Sequence, residues 1–521
     1  MKLLVAAFLS LTSLFFLSCK NFTGYSTKTA TLAKDTAEST KPSFHYGPQK
    51  NWINDPNGLV FHDGVYHLFY QYNPFADIWG HMSWGQATSK DLIHWTEQPV
   101  AIPEFTEHDT IVTSIFSGTA LIDSFNTSGL GTKENPSPMI AIYTGNVTTS
   151  GKQLAQYQNL AYSNDNGQTF TQYKGNPILD IHSKEFRDPK VFWYAPTKQW
   201  VMIVSKPDEY KVLFFGSANL KDWKKLGEFG GNTGNIATVW ECPDIFQLPV
   251  TNNSGEKKWL ITVSAGHPQV GFVSMQYFVG NFNGKTFIAD PLQYPLYMDF
   301  GKDFYAGITY NNIPASDGRK IMIGWINCWQ YARDIPSDGY RGSMSVPRNL
   351  TLIKSKEGYE LLQQPVAEFD ALRKEVFSLN NQEVDSIFNL SYHGNSYELD
   401  VTLDANSAGS EGIKILKSKN EETILKYNNS TKVFSLDRAH SGIVNFSPKF
   451  ASVETTSVTP ENGSINLRIL VDKRIITVFI NEGRRVITDQ VFPLENEGGI
   501  QLFSEGGKGS FKSVKAYRIL E

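Results

Sequence analysis

The chain has 521 residues, of which 19% are charged and 13% are aromatic, and its formal net charge is −4. A chain longer than about 300 residues exceeds a single core, so two domains are expected. The weak net charge and the lack of a basic stripe argue against nucleic acid as a partner.

Residues 1–19 resemble a bacterial lipoprotein signal peptide. A lysine precedes a largely apolar run over residues 3–17, which is too short to span a membrane comfortably. Ser18 and Cys19 then resemble a lipobox, in which the cysteine is lipidated. We therefore expect a lipid anchor on Cys19 and a place in the cell envelope; the alternative is an ordinary signal peptide and secretion. Residues 20–43, rich in Thr, Ser, Lys and Ala, predict a flexible tether.

Residues 44–355 form a series of short apolar and aromatic runs separated by turn dipeptides such as Asp63-Gly64 and Asn283-Gly284. This pattern of short apolar runs and turns predicts an all-β domain with many strands. Three stretches are loosely alike, which fits the blades of a β-propeller but leaves the blade count open: residues 88–95, 161–170 and 217–223.

The C-terminal part predicts a second β domain. Residues 356–374 contain spaced apolar residues interrupted by Pro365, which indicates a short helix or linker. Residues 375–521 contain alternating runs at 465–470 and 475–480 that predict a hairpin, and we expect a β-sandwich.

Three motifs place a carboxylate beside a proline or an aromatic residue: Asp55 in Trp-Ile-Asn-Asp-Pro-Asn-Gly, Asp188 in Arg-Asp-Pro, and Glu241 in Trp-Glu-Cys-Pro. Taken singly, each has an ordinary alternative as a turn residue, a surface ion pair or an exposed strand-edge acid. Because the three are far apart in sequence, separate strands or loops must converge on one pocket, which a radial or barrel-like β fold does naturally.

These motifs together resemble glycoside hydrolase family 32, which includes invertases, inulinases and levanases. Further matching segments lie between and after them: Gln71 in Phe-Tyr-Gln-Tyr-Asn-Pro, Trp79 in Trp-Gly-His-Met, Phe116-Ser117-Gly118-Thr119, Gly324-Trp325, and residues 344–348. The resemblance implies a five-bladed β-propeller followed by a β-sandwich, with fructan or sucrose as substrate.

The resemblance also implies the catalytic roles. Asp55 is the expected nucleophile, Glu241 the general acid/base, and Asp188 the carboxylate that binds fructosyl hydroxyls and stabilises the transition state. A retaining glycosidase needs its two reacting carboxyl groups about 5–5.5 Å apart. No paired histidine or cysteine metal motif and no nucleotide-binding loop occurs in the chain, so no metal or other cofactor is expected.

A sugar site combines aromatic faces with planar polar groups. The expected substrate-binding residues have this mixture: Asn54, Gln71, Trp79, Phe116, Ser117, Arg187, Asp303, Tyr305 and Trp325. Asp303 is expected to hold hydroxyls of the terminal sugar, while Tyr305 and Trp329 block the chain beyond it, which favours exo-action. The alternatives are core tryptophans, a buried amide at Gln71 and a turn-capping Asp303.

Other functions remain open at this stage. They are an endo-acting fructanase, an inverting propeller glycosidase for arabinan or xylan, and a non-catalytic glycan-binding lipoprotein. The preferred linkage and the oligomeric state do not follow from the sequence. Cys242 and Cys328 are expected to be free, buried thiols.

Overall fold

The structure is a computed structural model that describes residues 40–107, 110–236, 238–267, 272–495 and 497–520. The predicted signal peptide, Cys19 and most of the predicted tether lie outside these residues. Within them, no helix has the length and apolar character required to cross a bilayer.

The N-terminal domain contains five successive sheets. The first comprises β1 Asn51–His62, β2 Val65–Asn73, β3 Ser83–Ser89 and β4 Thr96–Ile102. The second comprises β5 Phe105–Glu107, β6 Ile111–Ile122, β7 Met139–Thr149, β8 Lys152–Ser163, β9 Thr171–Gln172 and β10 Leu179–Ser183. The third comprises β11 Arg187–Tyr194, β12 Gln199–Lys206, β13 Lys211–Ser217 and β14 Lys224–Gly230, with 3₁₀ turns at Ala195–Thr197 and Pro207–Glu209.

The remaining two sheets complete this domain. The fourth comprises β15 Trp240–Pro249, β16 Lys257–His267, β17 Phe272–Phe282, β18 Phe287–Ala289 and β19 Leu296–Tyr297. The fifth region comprises β20 Tyr305–Thr309, β21 Ile321–Ile326, β22 Tyr340–Arg341, β23 Ser343–Met344, β24 Arg348–Lys354 and β25 Tyr359–Pro365. Strand β22 pairs in parallel with β1 and so ties the end of the domain to its first sheet.

One strand of each sheet lies at the centre of the domain. These innermost strands are β1, β6, β11, β15 and β20; each contacts the next, and β20 contacts β1. The five sheets therefore close around one axis, which is the arrangement expected of a propeller.

Many propeller strands are buried on both faces because each sheet is packed between two others. In β21, for example, all six residues of Ile321–Ile326 are buried. Such strands are near-continuous apolar runs, since neither face meets water. Buried clusters between neighbouring sheets fix their positions around the axis.

The predicted linker at 356–374 is partly wrong. Strand β25 (Tyr359–Pro365) pairs antiparallel with β24, so it is the outer strand of the fifth sheet. Its burial alternates, with Leu361, Gln363 and Pro365 inside, as a strand requires. The connection is a short 3₁₀ helix, Ala367–Leu372, after which the second domain begins.

The second domain is a sandwich of two six-stranded sheets. Its strands are β26 Arg373–Val384, β27 Ile387–Asn389, β28 Ser396–Asp404, β29 Ser410–Lys417, β30 Glu422–Asn428, β31 Val433–His440, β32 Val453–Ser457, β33 Ser464–Asp472, β34 Ile475–Ile480, β35 Arg485–Gln490, β36 Gly499–Glu505 and β37 Gly509–Ile519. One sheet has the order β26-β37-β28-β33-β34-β35 and the other β27-β36-β29-β30-β31-β32. The predicted 465–470 and 475–480 hairpin is present as β33 and β34, and a single apolar core lies between the sheets.

Candidate active site

Each of the five innermost strands goes out of register with its neighbour where two of its residues oppose one residue of the next strand, and β1 does so a second time at Gly58-Leu59. This is the count that defines a β-bulge, which bends a strand and re-aims side chains. The paired residues are Asn54-Asp55, Phe116-Ser117, Asp188-Pro189, Cys242-Pro243 and Ala306-Gly307.

The bulges bring the predicted catalytic carboxylates together. Asp55 and Asp188 lie within bulges, and Glu241 immediately precedes one. All three line a single cavity of about 150 Å³ at one end of the propeller axis. This volume is below the roughly 300–1,000 Å³ typical of sites for drug-sized ligands, so the pocket suits one small sugar unit.

Asp55 is held by short polar contacts on both oxygens. Ser117 Oγ donates to Oδ2 at 2.6 Å, and Asn54 Nδ2 donates to Oδ1 at 3.0 Å. Asn54 is in turn held by the indole N–H of Trp52, at 2.8 Å. Burial raises the pKa of Asp55 above its ordinary value, while the hydrogen bonds from Ser117 and Asn54 counter part of that shift. These donors stabilise the ionised carboxylate in a fixed orientation.

Glu241 is held between a cation and a phenol. Its Oε1 accepts from Arg187 Nη2 at 3.0 Å and from Arg187 Nε at 3.2 Å. Its Oε2 accepts from the Tyr305 hydroxyl at 2.8 Å. Burial raises the pKa of Tyr305 well above its ordinary value, and the nearby Glu241 adds to the shift, so Tyr305 is a stable donor.

Asp188 lies against the chain that carries Glu241. Its backbone is left-handed, with φ of 65°, and its Oδ2 accepts from the backbone N–H of Cys242 at 2.9 Å. Burial raises the pKa of Asp188 to about 7; Arg187 lowers it, and the charges of Glu241 and Asp55 add to the increase. Three carboxylates thus share one pocket, and Arg187 pairs with one of them, Glu241.

Arg187 supplies the positive charge that pairs with Glu241. Burial disfavours its charged form, but Glu241, Asp188 and Glu185 outweigh that effect and raise its pKa. Its Nη1 contacts Glu185 and also lies 3.3 Å from Gln156 Oε1. The guanidinium is therefore fixed by several acceptors and is a rigid support for Glu241.

Aromatic and polar side chains form the walls. The residues around the carboxylates are Asn54, Gln71, Trp79, Phe116, Ser117, Arg187, Trp329 and Arg333. Trp79 packs edge-on against Phe116, and the Arg333 guanidinium lies 5.5 Å from the centre of the Trp79 ring. Gln71 donates to the Ile115 carbonyl at 2.9 Å. Most of the predicted binding residues are thus brought to one pocket.

Asp303 is not among them, and the prediction that it binds sugar hydroxyls is wrong. Its side chain is fully buried, outside the pocket lining. The oxygens accept hydrogen bonds from Tyr331 at 2.9 Å and from the Gln490 backbone at 2.8 Å. Asp303 therefore belongs to the contact between the two domains.

Trp325 and Tyr305 also differ from the prediction. Trp325 is fully buried and packs behind Trp329, with 4.8 Å between ring centres, so Trp329 and not Trp325 faces the cavity. Tyr305 is almost fully buried and contacts Glu241 instead of blocking the sugar chain. Both support residues that line the pocket.

Two features of the site were not assigned from the sequence. Arg333 reaches the pocket from a loop after β21, and no motif marks it. Cys242, expected only as a buried thiol, has its Sγ 3.5 Å from Asp55 Oδ2 and 3.7 Å from Asp188 Oδ2. Cys242 and Cys328 are both free and buried. Across the described ranges, no cluster of three or more His, Cys, Asp or Glu side chains is arranged to hold a metal ion.

Two models of known protein families match nearly the whole described chain. The family model for the glycosyl hydrolases family 32 N-terminal domain matches residues 45–365, and the model for the family 32 C-terminal domain matches residues 368–518. These ranges agree with the propeller and the sandwich.

Characterised relatives and solved structures agree with these matches. A levanase of Bacillus subtilis is 39% identical over 94% of this chain and 73% of its own length. An extracellular exo-inulinase of Aspergillus awamori is 36% identical over 94% of this chain and 96% of its own. The crystal structure of an Aspergillus awamori exo-inulinase superposes with a TM-score of 0.86, covering 94% of this chain and 99% of that one at 34% identity. The structure of the fructofuranosidase of Schwanniomyces occidentalis complexed with fructose superposes with a TM-score of 0.84 at 32% identity. The superposition covers 94% of this chain and 100% of that one.

Proposed function

Because the chain belongs to glycosyl hydrolase family 32, and is thus a glycosidase of fructans and sucrose, we propose that it removes terminal fructosyl units by a retaining double displacement. The observation that carries this proposal is the convergence of Asp55, Asp188 and Glu241 on one small pocket. Inulin and levan are the substrate classes that the names of the relatives support.

In the first step, Asp55 attacks the anomeric carbon and forms a covalent fructosyl ester. The bond from that carbon to the leaving oxygen breaks, and Glu241 gives its proton to that oxygen. Ser117 and Asn54 hold Asp55 ready, since their donors fix both carboxylate oxygens.

In the second step, Glu241 is ionised and takes a proton from water. The water oxygen attacks the anomeric carbon, the ester bond to Asp55 breaks, and fructose leaves with its original anomeric configuration. Arg187 and Tyr305 support this role, because both hold the Glu241 carboxylate through each exchange of its proton.

Asp188 has a different role in the proposal. It sits beside Cys242 in the pocket and is an acceptor suited to fructosyl hydroxyls. Hydrogen bonds from these hydroxyls strengthen as positive charge develops on the ring, which lowers the barrier.

The shape of the pocket supports exo-action. Trp79, Phe116 and Trp329 enclose a cavity of about 150 Å³, which accepts a terminal unit more readily than the middle of a chain. The likeness to exo-inulinases over most of the chain supports the same assignment.

We also propose that the protein is lipid-anchored in a bacterial cell envelope. The support is the apolar run that ends at Ser18 and Cys19, followed by a polar segment up to residue 43.

The proposed function is tested by incubating the full chain separately with sucrose, levan, inulin and arabinan. We expect fructose from the first three and no product from arabinan. Proton NMR of the first product from sucrose is expected to show retention. Inverted fructose would remove Asp55 from the nucleophile role, and release of arabinose would contradict the assigned substrate class.

A further inference from the structure

A cavity of about 470 Å³ lies at the opposite end of the propeller axis from the catalytic pocket. The innermost strands join the two, because each of three carries a residue of the active site a few positions before a residue of this cavity: Ser117 and Leu121, Asp188 and Val191, Tyr305 and Tyr310. Three to five residues of strand separate the two sites by roughly 10–17 Å.

Aromatic rings form one side of this cavity. Phe125 is 68% exposed and packs on Trp193, with 5.3 Å between ring centres. Trp193 in turn packs edge-on against the buried Trp200, at 5.1 Å. The indole N–H of Trp200 donates to Thr127 Oγ1 at 2.8 Å, which fixes the base of the stack. An ordered apolar surface therefore faces water at this end of the propeller.

Polar groups on the same cavity lack protein partners. Lys320 lines it, and within the described part of the chain its ammonium makes no ion pair or hydrogen bond. Asp244 attracts that ammonium, but the Asp244 carboxylate already accepts from Thr309 and pairs with Lys190. The indole N–H of Trp193 likewise makes no hydrogen bond to any described residue.

Asn312 adds an acceptor at the mouth of the cavity. Its amide nitrogen donates to the Phe61 carbonyl at 2.8 Å, while its oxygen has no donor among the described residues. The lining of the cavity thus combines aromatic residues with two donors and an acceptor that make no hydrogen bond to any described residue.

We propose that this cavity is a second carbohydrate-binding site, which holds fructosyl units of a fructan chain away from the catalytic pocket. The volume falls within the range of about 300–1,000 Å³ of small-molecule sites. The C–H face of a sugar ring packs on Phe125 and Trp193, and its hydroxyls pair with Lys320 and Asn312. The choice of a fructan rests on the proposed function.

The effect of the second site is expected to depend on the length of the fructan substrate. A short substrate such as sucrose occupies one site only, whereas a polymer held at the second site raises the effective concentration of chain ends near the first. The enzyme is therefore expected to have a lower KM for long fructans, with an unchanged kcat.

Two variants test the site in the full chain. Phe125→Ala removes the exposed ring, and Lys320→Met removes the ammonium while keeping most of the side chain. Ile288→Ala is the control, because Ile288 is also 68% exposed but lies outside this cavity. Binding is measured by retardation in native gels containing levan, inulin or dextran, in an Asp55→Asn background that prevents hydrolysis. KM and kcat are measured with Asp55 intact.

We expect Phe125→Ala and Lys320→Met each to weaken levan or inulin binding, and to raise KM for the polymer, by roughly threefold to tenfold. Sucrose kinetics and Ile288→Ala are expected to match the wild type, and dextran is expected to retard none of the proteins. If sucrose and levan are hydrolysed normally but both variants behave like Ile288→Ala, the second site is overturned and the proposed function stands.

Two other outcomes separate the alternatives. If the wild type hydrolyses no fructoside while its retardation by levan still depends on Phe125, the proposed function fails and the second site stands. If inorganic phosphate binds and this binding is lost in Lys320→Met with levan binding unchanged, the cavity is an anion site and the proposal is overturned.

Discussion

Arg438 of the sandwich forms a fully buried ion pair with Asp303 of the propeller, with 2.6 Å between Nη1 and Oδ2. The same guanidinium donates through Nη2 to the Tyr331 hydroxyl at 2.8 Å. Trp329 and Arg333, two residues to either side of Tyr331, line the catalytic pocket. The second domain therefore holds the segment that forms one wall of the pocket.

Replacing Arg438 by methionine is expected to destabilise the protein by about 3–5 kcal/mol, because it leaves the buried Asp303 carboxylate without its cation. KM for fructan should rise more than kcat falls, since the displaced wall binds sugar but does not carry the reacting carboxylates. Denaturant unfolding and steady-state kinetics measure the two effects. Arg518→Met, at an exposed arginine, is the control and should change stability by no more than about 0.5 kcal/mol. Equal effects from the two variants would contradict the positioning role of Arg438.

Asp55→Asn and Glu241→Gln are each expected to lower kcat by about 10²–10⁴-fold while the protein stays folded. The two should differ on a fructoside whose leaving group departs without protonation. Glu241→Gln should recover much of its first-step rate on that substrate, whereas Asp55→Asn should not. Comparing single-turnover rates on both substrates tests the assignment; equal losses for Glu241→Gln on the two would argue against Glu241 as the acid.

Asp188→Asn is expected to stabilise the folded protein at neutral and alkaline pH. The folded-state pKa of Asp188 is raised to about 7, so folding favours its protonated form. The native protein therefore loses stability as the pH rises from about 4 to about 7. The variant lacks this loss. Thermal unfolding should show that Asp188→Asn is more stable than the wild type at pH 8 but not at pH 4. The activity of the variant should be strongly reduced at both pH values. An equal gain in stability at both pH values would contradict the raised pKa of Asp188 as its cause.

The sequence predicted the chemistry of the site better than its architecture. Asp55, Asp188 and Glu241 occur in compact local motifs, and all three lie in one pocket. Asp303 and Tyr305 occupy one short segment, yet they contact different domains, because Asp303 lies in a bend before β20 and Tyr305 is the first residue of that strand. Which of them supports the active site and which the sandwich depends on how the two domains pack, and the sequence does not contain a local signal for that.

Two other differences have similar causes. Trp325 and Trp329 are equally aromatic, and only the loop after β21 decides which one reaches the cavity. Residues 359–365 have apolar spacing compatible with a helix, but pairing with β24 makes them a strand. In each case a tertiary contact overrides the local pattern.

Exo-action predicts that fructose is the only early product from levan or inulin, and that polymer length falls slowly. The reason is the small volume enclosed by Trp79, Phe116 and Trp329. Chromatography of the products during the first minutes tests this. A ladder of oligosaccharides at that stage would indicate an open cleft and endo-action.

Cys19→Ala is expected to release the enzyme from the membrane fraction without changing its activity on soluble fructan. The acyl chains of a bacterial lipoprotein supply the anchoring, since a single chain binds a membrane only marginally. Fractionation of cells that express each form, followed by activity assays, measures this. Ser18→Ala, which keeps a small residue before the cysteine, is the control and should stay with the membrane. A membrane fraction unchanged by Cys19→Ala would contradict lipidation at this residue.

The five bulges have a consequence for how this scaffold tolerates change. Each adds one residue to an innermost strand while the pairing on both sides of it stays regular. Exchanging one bulge residue for another therefore alters the pocket and leaves the sheet ladders intact. Deleting one of the two residues restores one-to-one pairing, so the neighbouring pairs are kept but the bend that aims the pocket side chains is lost. The sheets of the domain thus tolerate change at these positions, whereas the pocket depends on the extra residue of each innermost strand.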